Sequence, residues 1–289
     1  MSTTDLEKLP MDRAISAVTH DGSFRVLAVR STRTVRGLAK SQDASGPTVE
    51  NLADLASGTI LCRLTMAPNY RVQGIIQDAR GGTLVADSWP DGGTRGLVRA
   101  KGPVTFGPGA RMQLMRSLPN GAMHQGIVEV SSEHRVSGAV MNYLLESEQV
   151  TSALGVASVV SEEGEILLAG GYVVQLLPEC TEPPLAVMYE RLRHDFADLG
   201  RVLAELDADP DRLVAEILSG MEYTRTLEFE LDFKCRCSPE RVLASLATVG
   251  KDELEDMIRK AEPLSISCDY CGQQYEVQTE MLRGLLTTS

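Results

Sequence analysis

Cys235-Arg236-Cys237 and Cys268-Asp269-Tyr270-Cys271 decide how this 289-residue chain is organised. Thirty residues separate these two tight pairs of cysteines. Four thiols make up the ligand set of a tetrahedral zinc–thiolate site, in which every sulfur is ionised and all four converge on one ion. We therefore predict that Cys235, Cys237, Cys268 and Cys271 bind one Zn²⁺ ion per chain.

The spacing within the first pair suggests a further role. When oxidised, a Cys-x-Cys pair closes a very small, strained disulfide ring, and strained disulfides are the easily reduced, regulatory kind. The pair therefore indicates a redox switch. Two other interpretations stay open at this point: a structural zinc site that never oxidises, and two unrelated disulfides in a secreted protein.

The start of the chain bears on the cellular compartment. Met1–Pro10 contains no apolar core of the kind that signal peptides have, and no hydrophobic run in the chain is long enough to span a bilayer. We therefore predict a cytoplasmic protein without a membrane partner. In that compartment thiols are kept reduced unless the cell is under oxidative stress.

The net charge of −12 is concentrated in one part of the chain. Residues Glu179–Asp232, here called the acidic segment, carry 5 Lys and Arg against 14 Asp and Glu, a net charge of −9. Nucleic-acid affinity comes from Lys and Arg that release counterions from phosphates, so this composition disfavours a nucleic-acid partner. The shift in charge also predicts three domains: residues 1–178, the acidic segment, and residues 233–289.

Residues 1–178 predict an antiparallel β-rich core, so the fold class is α+β. Turn signals at Gly81-Gly82 and Pro90–Gly93 divide Tyr70–Ala100 into a meander of short strands. A hairpin is expected from Val156 to Leu177, where Gly170-Gly171 indicates close backbone approach.

The core domain also contains a strand and a helix that can be read from local signals. Ser23–Val35 is predicted to be a strand that runs to a sheet edge. Thr48 is predicted to cap a helix that ends before Pro68. Cys62 lies on this helix, and we interpret it as a small core side chain.

The acidic segment predicts two helices, the first from Pro183-Pro184 to Gly200 and the second from Asp209-Pro210 to Gly220. Each has one apolar face opposite an acidic one. Short helices docked by a single face are marginal by themselves, and the excess negative charge opposes compaction. We therefore predict that the acidic segment is the least stable part of the protein.

The C-terminal domain, residues 233–289, follows an alternating strand at Leu227–Phe233 that leads directly to Cys235. Its predicted elements are helices beginning at Ser238 and Asp252, a hairpin of Leu264–Ser267 with Gln274–Val277, and a terminal helix that Thr279 caps. Because fewer than 60 residues bury little apolar surface, the metal must supply on the order of 10 kcal/mol of folding free energy.

The sequence gives no sign of catalysis. The four histidines, His20, His124, His134 and His194, lie beside no cysteine or serine motif, and no nucleophile signature is present. The glycine pairs do not form a phosphate-binding loop. We therefore predict that the protein is not an enzyme. Cys180 is interpreted as a surface cysteine, with an accessory thiol as the alternative.

Four stretches of the sequence resemble a known family. Asp232–Arg241 (DFKCRCSPER) and Ser267–Gly272 (SCDYCG) resemble the zinc-centre motifs of the redox-regulated thirty-three-kilodalton heat-shock chaperonins of the bacterial cytosol. Tyr143–Gln149 and Gly170–Pro178 are similar to the core-domain signatures of the same family. The resemblance extends over roughly Gly22 to Met281.

This resemblance implies an ATP-independent holdase that protects unfolding proteins from aggregation under oxidative stress. It implies that the reduced, zinc-bound form is inactive. Oxidation would pair Cys235 with Cys237 and Cys268 with Cys271, release zinc and unfold the acidic segment. The oxidised protein would be a homodimer that binds unfolded client proteins.

Two other functions compete with this reading. A zinc-dependent protein or nucleic-acid adaptor without redox switching is disfavoured by the net charge. A thiol–disulfide oxidoreductase using Cys268-Asp269-Tyr270-Cys271 is disfavoured because that motif normally opens a helix in a thioredoxin-like unit, whereas here it lies between short strands.

Overall fold

The computed structural model describes residues 9–260 and 263–287. The chain divides into two compact units, Met1–Lys234 and Cys235–Ser289. Both strands and helices occur in each unit, and antiparallel pairing dominates, which confirms the predicted α+β class. The proposed domain boundaries after residues 178 and 232 stay predictions. No described helix is both long and apolar enough to cross a membrane.

The first unit contains ten strands and six helices within its described residues. The strands are β1 (Asp12–Thr19), β2 (Phe24–Arg30), β3 (Arg71–Gln77), β4 (Thr83–Ser88), β5 (Gly93–Arg99), β6 (Arg111–Ser117), β7 (Met123–Glu129), β8 (Ser152–Val160), β9 (Ile166–Leu176) and β10 (Tyr223–Phe233). The helices are α1 (Thr32–Ser41), α2 (Pro47–Thr65), α3 (Arg135–Glu148), α4 (Glu182–His194), α5 (Leu199–Glu205) and α6 (Pro210–Ile217).

All ten strands form one sheet in the order β7-β6-β3-β4-β5-β10-β1-β2-β9-β8. Every pairing is antiparallel except that of β10 with β5, where only Asp232 and Phe233 pair with Gly93 and Thr94. The predicted meander is confirmed as β3, β4 and β5, and the predicted hairpin as β8 and β9. A Cβ atom at Gly171 would collide with the carbonyl oxygen of Gly155, so the strand pair requires glycine there.

Helix α2 is the centre of the larger core. Every residue from Asn51 to Leu64 is buried, most of these side chains are apolar or small, and the helix contacts the sheet as well as α1 and α3. Cys62 is fully buried on this helix, as predicted. The cap prediction is wrong: Gly46, not Thr48, precedes the helix, and the Thr48 hydroxyl instead accepts a hydrogen bond from the Val104 N–H at 3.2 Å.

The predicted strand Ser23–Val35 is also wrong in length and position. Strand β2 ends at Arg30 and lies inside the sheet between β1 and β9, and the polar residues after it form α1. The buried Asp12 carboxylate accepts hydrogen bonds from the backbone N–H groups of Arg33 and Thr34 at 3.2 and 2.6 Å. This long-range contact stabilises the first turn of α1, and local sequence signals do not reveal it.

The acidic segment folds onto the sheet. The predicted first helix is interrupted, because α4 ends at His194 and α5 begins at Leu199; Gly200 lies inside α5 rather than ending a helix. The Asp198 carboxylate caps α5 by accepting from the Arg201 N–H at 3.0 Å. The predicted start of α6 is confirmed, with Asp209 as its cap, but the helix ends at Ile217, before the predicted stop at Gly220. The segment ends in β10, where Leu231 is buried and Leu227 is exposed.

A second core lies between the acidic segment and the face of the sheet. Apolar side chains of α5 and α6, including Leu203, Leu213 and Ile217, are fully buried. They pack in one cluster with sheet residues such as Phe24 and Val26. Helix α4 is docked less well, since only Met188 is buried on it while Tyr189 is 59% exposed.

The second unit is small. Its described elements are α7 (Pro239–Leu246), α8 (Lys251–Arg259), β11 (Leu264–Ser267), β12 (Gln274–Val277) and α9 (Thr279–Thr287). Strands β11 and β12 form an antiparallel hairpin, as predicted. Five apolar side chains are buried in its described core, namely Val242, Leu246, Leu254, Val277 and Leu282. Such a core supplies little folding free energy by itself.

Candidate metal centre

The second unit brings the four predicted cysteines together. The Sγ atoms of Cys235, Cys237, Cys268 and Cys271 all lie within 4.8 Å of one another, and each is half-buried. The Sγ–Sγ distance is 3.7 Å from Cys235 to Cys268 and 3.4 Å from Cys237 to Cys271. A disulfide needs a separation of about 2 Å, so all four are free thiols in this arrangement.

Local structure holds the two pairs in place. After Cys237, the Ser238 hydroxyl caps α7 by accepting from the Arg241 N–H at 3.3 Å, and the Arg241 guanidinium donates to the Arg236 carbonyl at 2.7 Å. These contacts fix the short loop that carries the first pair.

The second pair lies in the turn of the β11–β12 hairpin. The Cys268 N–H donates to the Gln273 carbonyl at 2.9 Å, and the Gly272 N–H donates to the Cys268 carbonyl at 2.8 Å. Gly272 has φ +72°, a backbone conformation that glycine adopts without strain. The turn thereby aims both sulfurs to the same side.

The sulfurs influence one another's ionisation. Burial opposes ionisation of Cys235, but hydrogen bonds from the Cys237 N–H and the neighbouring thiols outweigh it and lower its pKa to about 7. Burial raises the pKa of Cys271, and the three other sulfurs reinforce this effect. Burial also raises the pKa of Cys268, although hydrogen bonds from the Tyr270 and Cys271 N–H groups act in the opposite direction. The bare cluster therefore resists full ionisation, whereas a bound dication ionises its thiol ligands outright.

Sequence reasoning missed a fifth residue at the site. Tyr275, on β12, donates a hydrogen bond from its hydroxyl to the Cys237 sulfur at 3.0 Å. This hydrogen bond raises the pKa of Tyr275 to about 12, so the phenol is a donor at neutral pH. Tyr275 is two residues from the buried Val277, and the period-two alternation that places both on one face was the available signal.

The arrangement fits a tetrahedral metal ion. With Zn–S bonds of about 2.3 Å, a tetrahedron has S–S edges of about 3.8 Å, close to the two measured distances. An all-sulfur donor set favours soft or borderline ions such as Zn²⁺ over Mg²⁺ or Ca²⁺. No histidine or carboxylate belongs to this cluster. Within residues 9–260 and 263–287, it is the only group of three or more potential metal ligands.

The two remaining cysteines lie elsewhere. Cys62 is buried in α2, and burial raises the pKa of its thiol. Cys180 is partly buried at the start of the acidic segment, where it packs against the second core with its Sγ 3.5 Å from the Thr181 carbonyl oxygen. The structure therefore distinguishes a fully buried thiol from a partly accessible one.

We expect Cys62 to be alkylated on the order of 100-fold more slowly than Cys180, because the reaction needs an exposed thiolate. Mass spectrometry of the folded protein after timed iodoacetamide treatment measures both rates. A protein unfolded in guanidinium is the control, in which the two thiols should react alike. Equal rates in the folded protein would contradict the burial of Cys62.

A β-rich α+β unit followed by a small unit that gathers four thiols defines a class of protein with a cysteine cluster that can hold a metal ion. The family model for the Hsp33 protein matches residues 12–278. The chain belongs to the Hsp33 family.

Named relatives agree with this assignment. The chain is 30% identical over 291 residues to a 33 kDa chaperonin of Streptococcus thermophilus, covering 96% of this chain and 99% of the relative. It is 27% identical over 288 residues to the 33 kDa chaperonin of Syntrophotalea carbinolica, covering 95% and 99%. These names support a chaperone function.

A solved structure shows the same fold. The crystal structure of the 33 kDa chaperonin of Thermotoga maritima superposes with a TM-score of 0.80, covering 96% of this chain and 99% of that one, at 21% sequence identity.

Proposed function

We propose that this protein is a redox-regulated, ATP-independent holdase of the cytoplasm. In the reduced state Cys235, Cys237, Cys268 and Cys271 hold one Zn²⁺ ion and the protein is inactive. Oxidation of these thiols activates it to bind unfolded or partly unfolded client proteins as a homodimer. The observation that carries the proposal is the convergence of four free thiols within 4.8 Å on a unit that has little other core.

The zinc ion, when bound, supplies folding free energy to the second unit through four metal–sulfur bonds. The protein's own contribution is to present the sulfurs preassembled. Two of them come from the loop before α7 and two from the hairpin turn, so binding connects parts of the unit that lie more than thirty residues apart in sequence. Loss of the thiolates therefore removes the metal-mediated connection between these two parts.

Hydrogen peroxide converts the thiol ligands into disulfides in two steps, with one peroxide molecule consumed for each disulfide. A cysteine thiolate attacks one peroxide oxygen, the S–O bond forms as the O–O bond breaks, and hydroxide leaves. The neighbouring thiol then attacks the sulfenic sulfur, the S–S bond forms, and water leaves. We propose the pairs Cys235 with Cys237 and Cys268 with Cys271, because partners close in sequence can meet without the rest of the unit.

The acidic segment is the proposed mobile element. It is joined directly to the site, since β10 ends at Phe233 and Cys235 follows after one residue. Unfolding it uncovers the apolar faces of α5 and α6 together with the sheet surface beneath them. A contiguous exposed apolar surface is what a protein needs in order to bind the exposed apolar segments of non-native proteins.

Ion pairs contribute to the docking of this segment. The Arg13 guanidinium on β1 lies 2.6 Å from the Asp211 carboxylate of α6 and 3.2 Å from the carboxylate of Asp209, which caps that helix. Burial opposes the charge on Asp209, but the Arg212 N–H and the Arg13 guanidinium outweigh it and lower the pKa of Asp209. The Arg13–Asp209 pair is only partly exposed, so it is screened less by salt than a surface pair.

The proposal is tested with zinc-loaded protein before and after peroxide treatment. The oxidised form should suppress light scattering from a chemically unfolded client without nucleotide, and the reduced form should not. A Cys180→Ser variant is the matched control and should behave like the wild type, because its thiol is not a proposed ligand. Equal suppression by reduced and oxidised protein would contradict redox regulation.

A further inference from the structure

We infer that Tyr275 is a positioning residue of the thiol centre that strengthens metal binding and slows the oxidation of Cys237. The inference rests on the proposed zinc site. Its basis is geometric: the phenol hydroxyl lies 3.0 Å from the Cys237 sulfur, at hydrogen-bonding distance and with the hydroxyl as donor.

The hydrogen bond connects the two halves of the site. Tyr275 belongs to the β11–β12 hairpin that carries Cys268 and Cys271, and its backbone pairs with Ile266. Cys237 belongs to the other pair, in the loop before α7. The phenol thus joins the hairpin to the opposite cysteine pair by a contact that does not involve a metal.

The body of the side chain is held by packing. The Tyr275 ring packs against the core of the second unit, whose buried residues include Leu246 and Val277. A ring fixed in this way delivers its hydroxyl to Cys237 with little loss of rotamer freedom. Removing a residue that hydrogen-bonds to a metal ligand without binding the metal typically lowers metal affinity by about 10–100-fold.

The same hydrogen bond changes the reactivity of the sulfur. A donor withdraws electron density from a thiolate lone pair, which makes the sulfur a weaker nucleophile toward peroxide. The Cys237 sulfur accepts this hydrogen bond from the phenol, whereas the Cys235 sulfur has its contacts with other cysteines. Tyr275 therefore sets how fast the Cys235–Cys237 pair is oxidised.

The test compares zinc-loaded wild type with Tyr275→Phe, which keeps the ring and removes the hydroxyl. Tyr189→Phe is the matched control, since it removes the same hydroxyl from an exposed tyrosine of the first unit. We expect Tyr275→Phe to bind zinc about 10-fold more weakly in competition with a chromophoric chelator. Mass spectrometry of differentially alkylated thiols should show faster peroxide oxidation of Cys237, and Tyr189→Phe should match the wild type in both measurements.

Two further readouts separate positioning from general destabilisation. Cobalt-loaded Tyr275→Phe should show its sulfur-to-metal charge-transfer band at lower energy, because the lone pair loses its donor. Replacement of Tyr275 by 3-fluorotyrosine, which is nearly the same size and a stronger donor, should shift affinity and oxidation rate in the opposite direction.

The outcomes separate this inference from the proposed function. Unchanged affinity, oxidation rate and cobalt spectrum in Tyr275→Phe, with wild type that binds and releases zinc normally, would overturn the role of Tyr275 alone. If Tyr275→Phe fails to fold, the fluorotyrosine protein decides, and an unchanged affinity and rate there would overturn the role. Wild type without stoichiometric zinc would instead overturn the proposed function.

Discussion

Cys271→Ser should lose stoichiometric zinc and unfold the second unit while the first unit keeps its structure. Structural zinc contributes on the order of 10 kcal/mol to the folding of small domains, whereas total stabilities of natural domains are about 5–15 kcal/mol. Five buried apolar side chains among the described residues cannot replace that contribution. The expected result is therefore complete unfolding of residues 235–289 rather than a small loss of stability.

Hydrogen exchange resolved by mass spectrometry measures this directly, together with zinc content by atomic absorption. In Cys271→Ser, amides of α7, α8 and the hairpin should exchange at unprotected rates, and those of α2 should stay protected. Cys180→Ser is the control and should retain both metal and protection. Protected amides throughout residues 239–277 in the metal-free variant would refute the claim that the metal holds this unit together.

Leu213→Ala should activate the chaperone without oxidant. Leu213 is fully buried on α6, which contacts β1 and β2, and truncation of a buried leucine costs about 2–5 kcal/mol. The docking of the acidic segment depends on short helices with one apolar face. A loss of stabilising free energy of this size therefore shifts a large fraction of molecules to the undocked state.

Leu114→Ala provides the matched control for this experiment. Leu114 is equally buried, but it lies on β6 in the larger core, away from the acidic segment. Both variants should lower the unfolding temperature, whereas only Leu213→Ala should suppress client aggregation in the reduced state and expose residues 199–222 to limited proteolysis. Reduced Leu213→Ala that is inactive and as protease-resistant as Leu114→Ala would contradict the role of the acidic segment.

Structural features that depend on neighbouring residues could be predicted from the sequence. The glycine and proline turns that delimit β3, β4 and β5 act within a few residues, as does the Asp209-Pro210 signal that begins α6. The cysteine cluster was also predictable, because four thiols in two close pairs have few other uses in a reducing compartment. For the strands and the helix, sequence and structure agree because neighbouring residues determine the conformation, whereas the cysteine cluster was predictable from its ligand chemistry.

Features that depend on distant contacts could not be read in this way. The sequence predicts a strand up to Val35, where the structure has the start of α1, because the carboxylate that stabilises the first turn of this helix belongs to Asp12 on another strand. The placement of β10 inside the large sheet likewise follows from its pairing with β1, more than two hundred residues earlier in the chain. Tyr275 reaches Cys237 only after the hairpin has folded back on α7.

The most direct test of the central claim is a peroxide titration in which free thiols and released zinc are counted in the same sample. We expect reduced protein to hold one zinc ion and to release it as the four thiols of Cys235, Cys237, Cys268 and Cys271 disappear, while Cys62 stays reduced. Reduced protein without stoichiometric metal, or loss of those four thiols with the metal still bound, would contradict it.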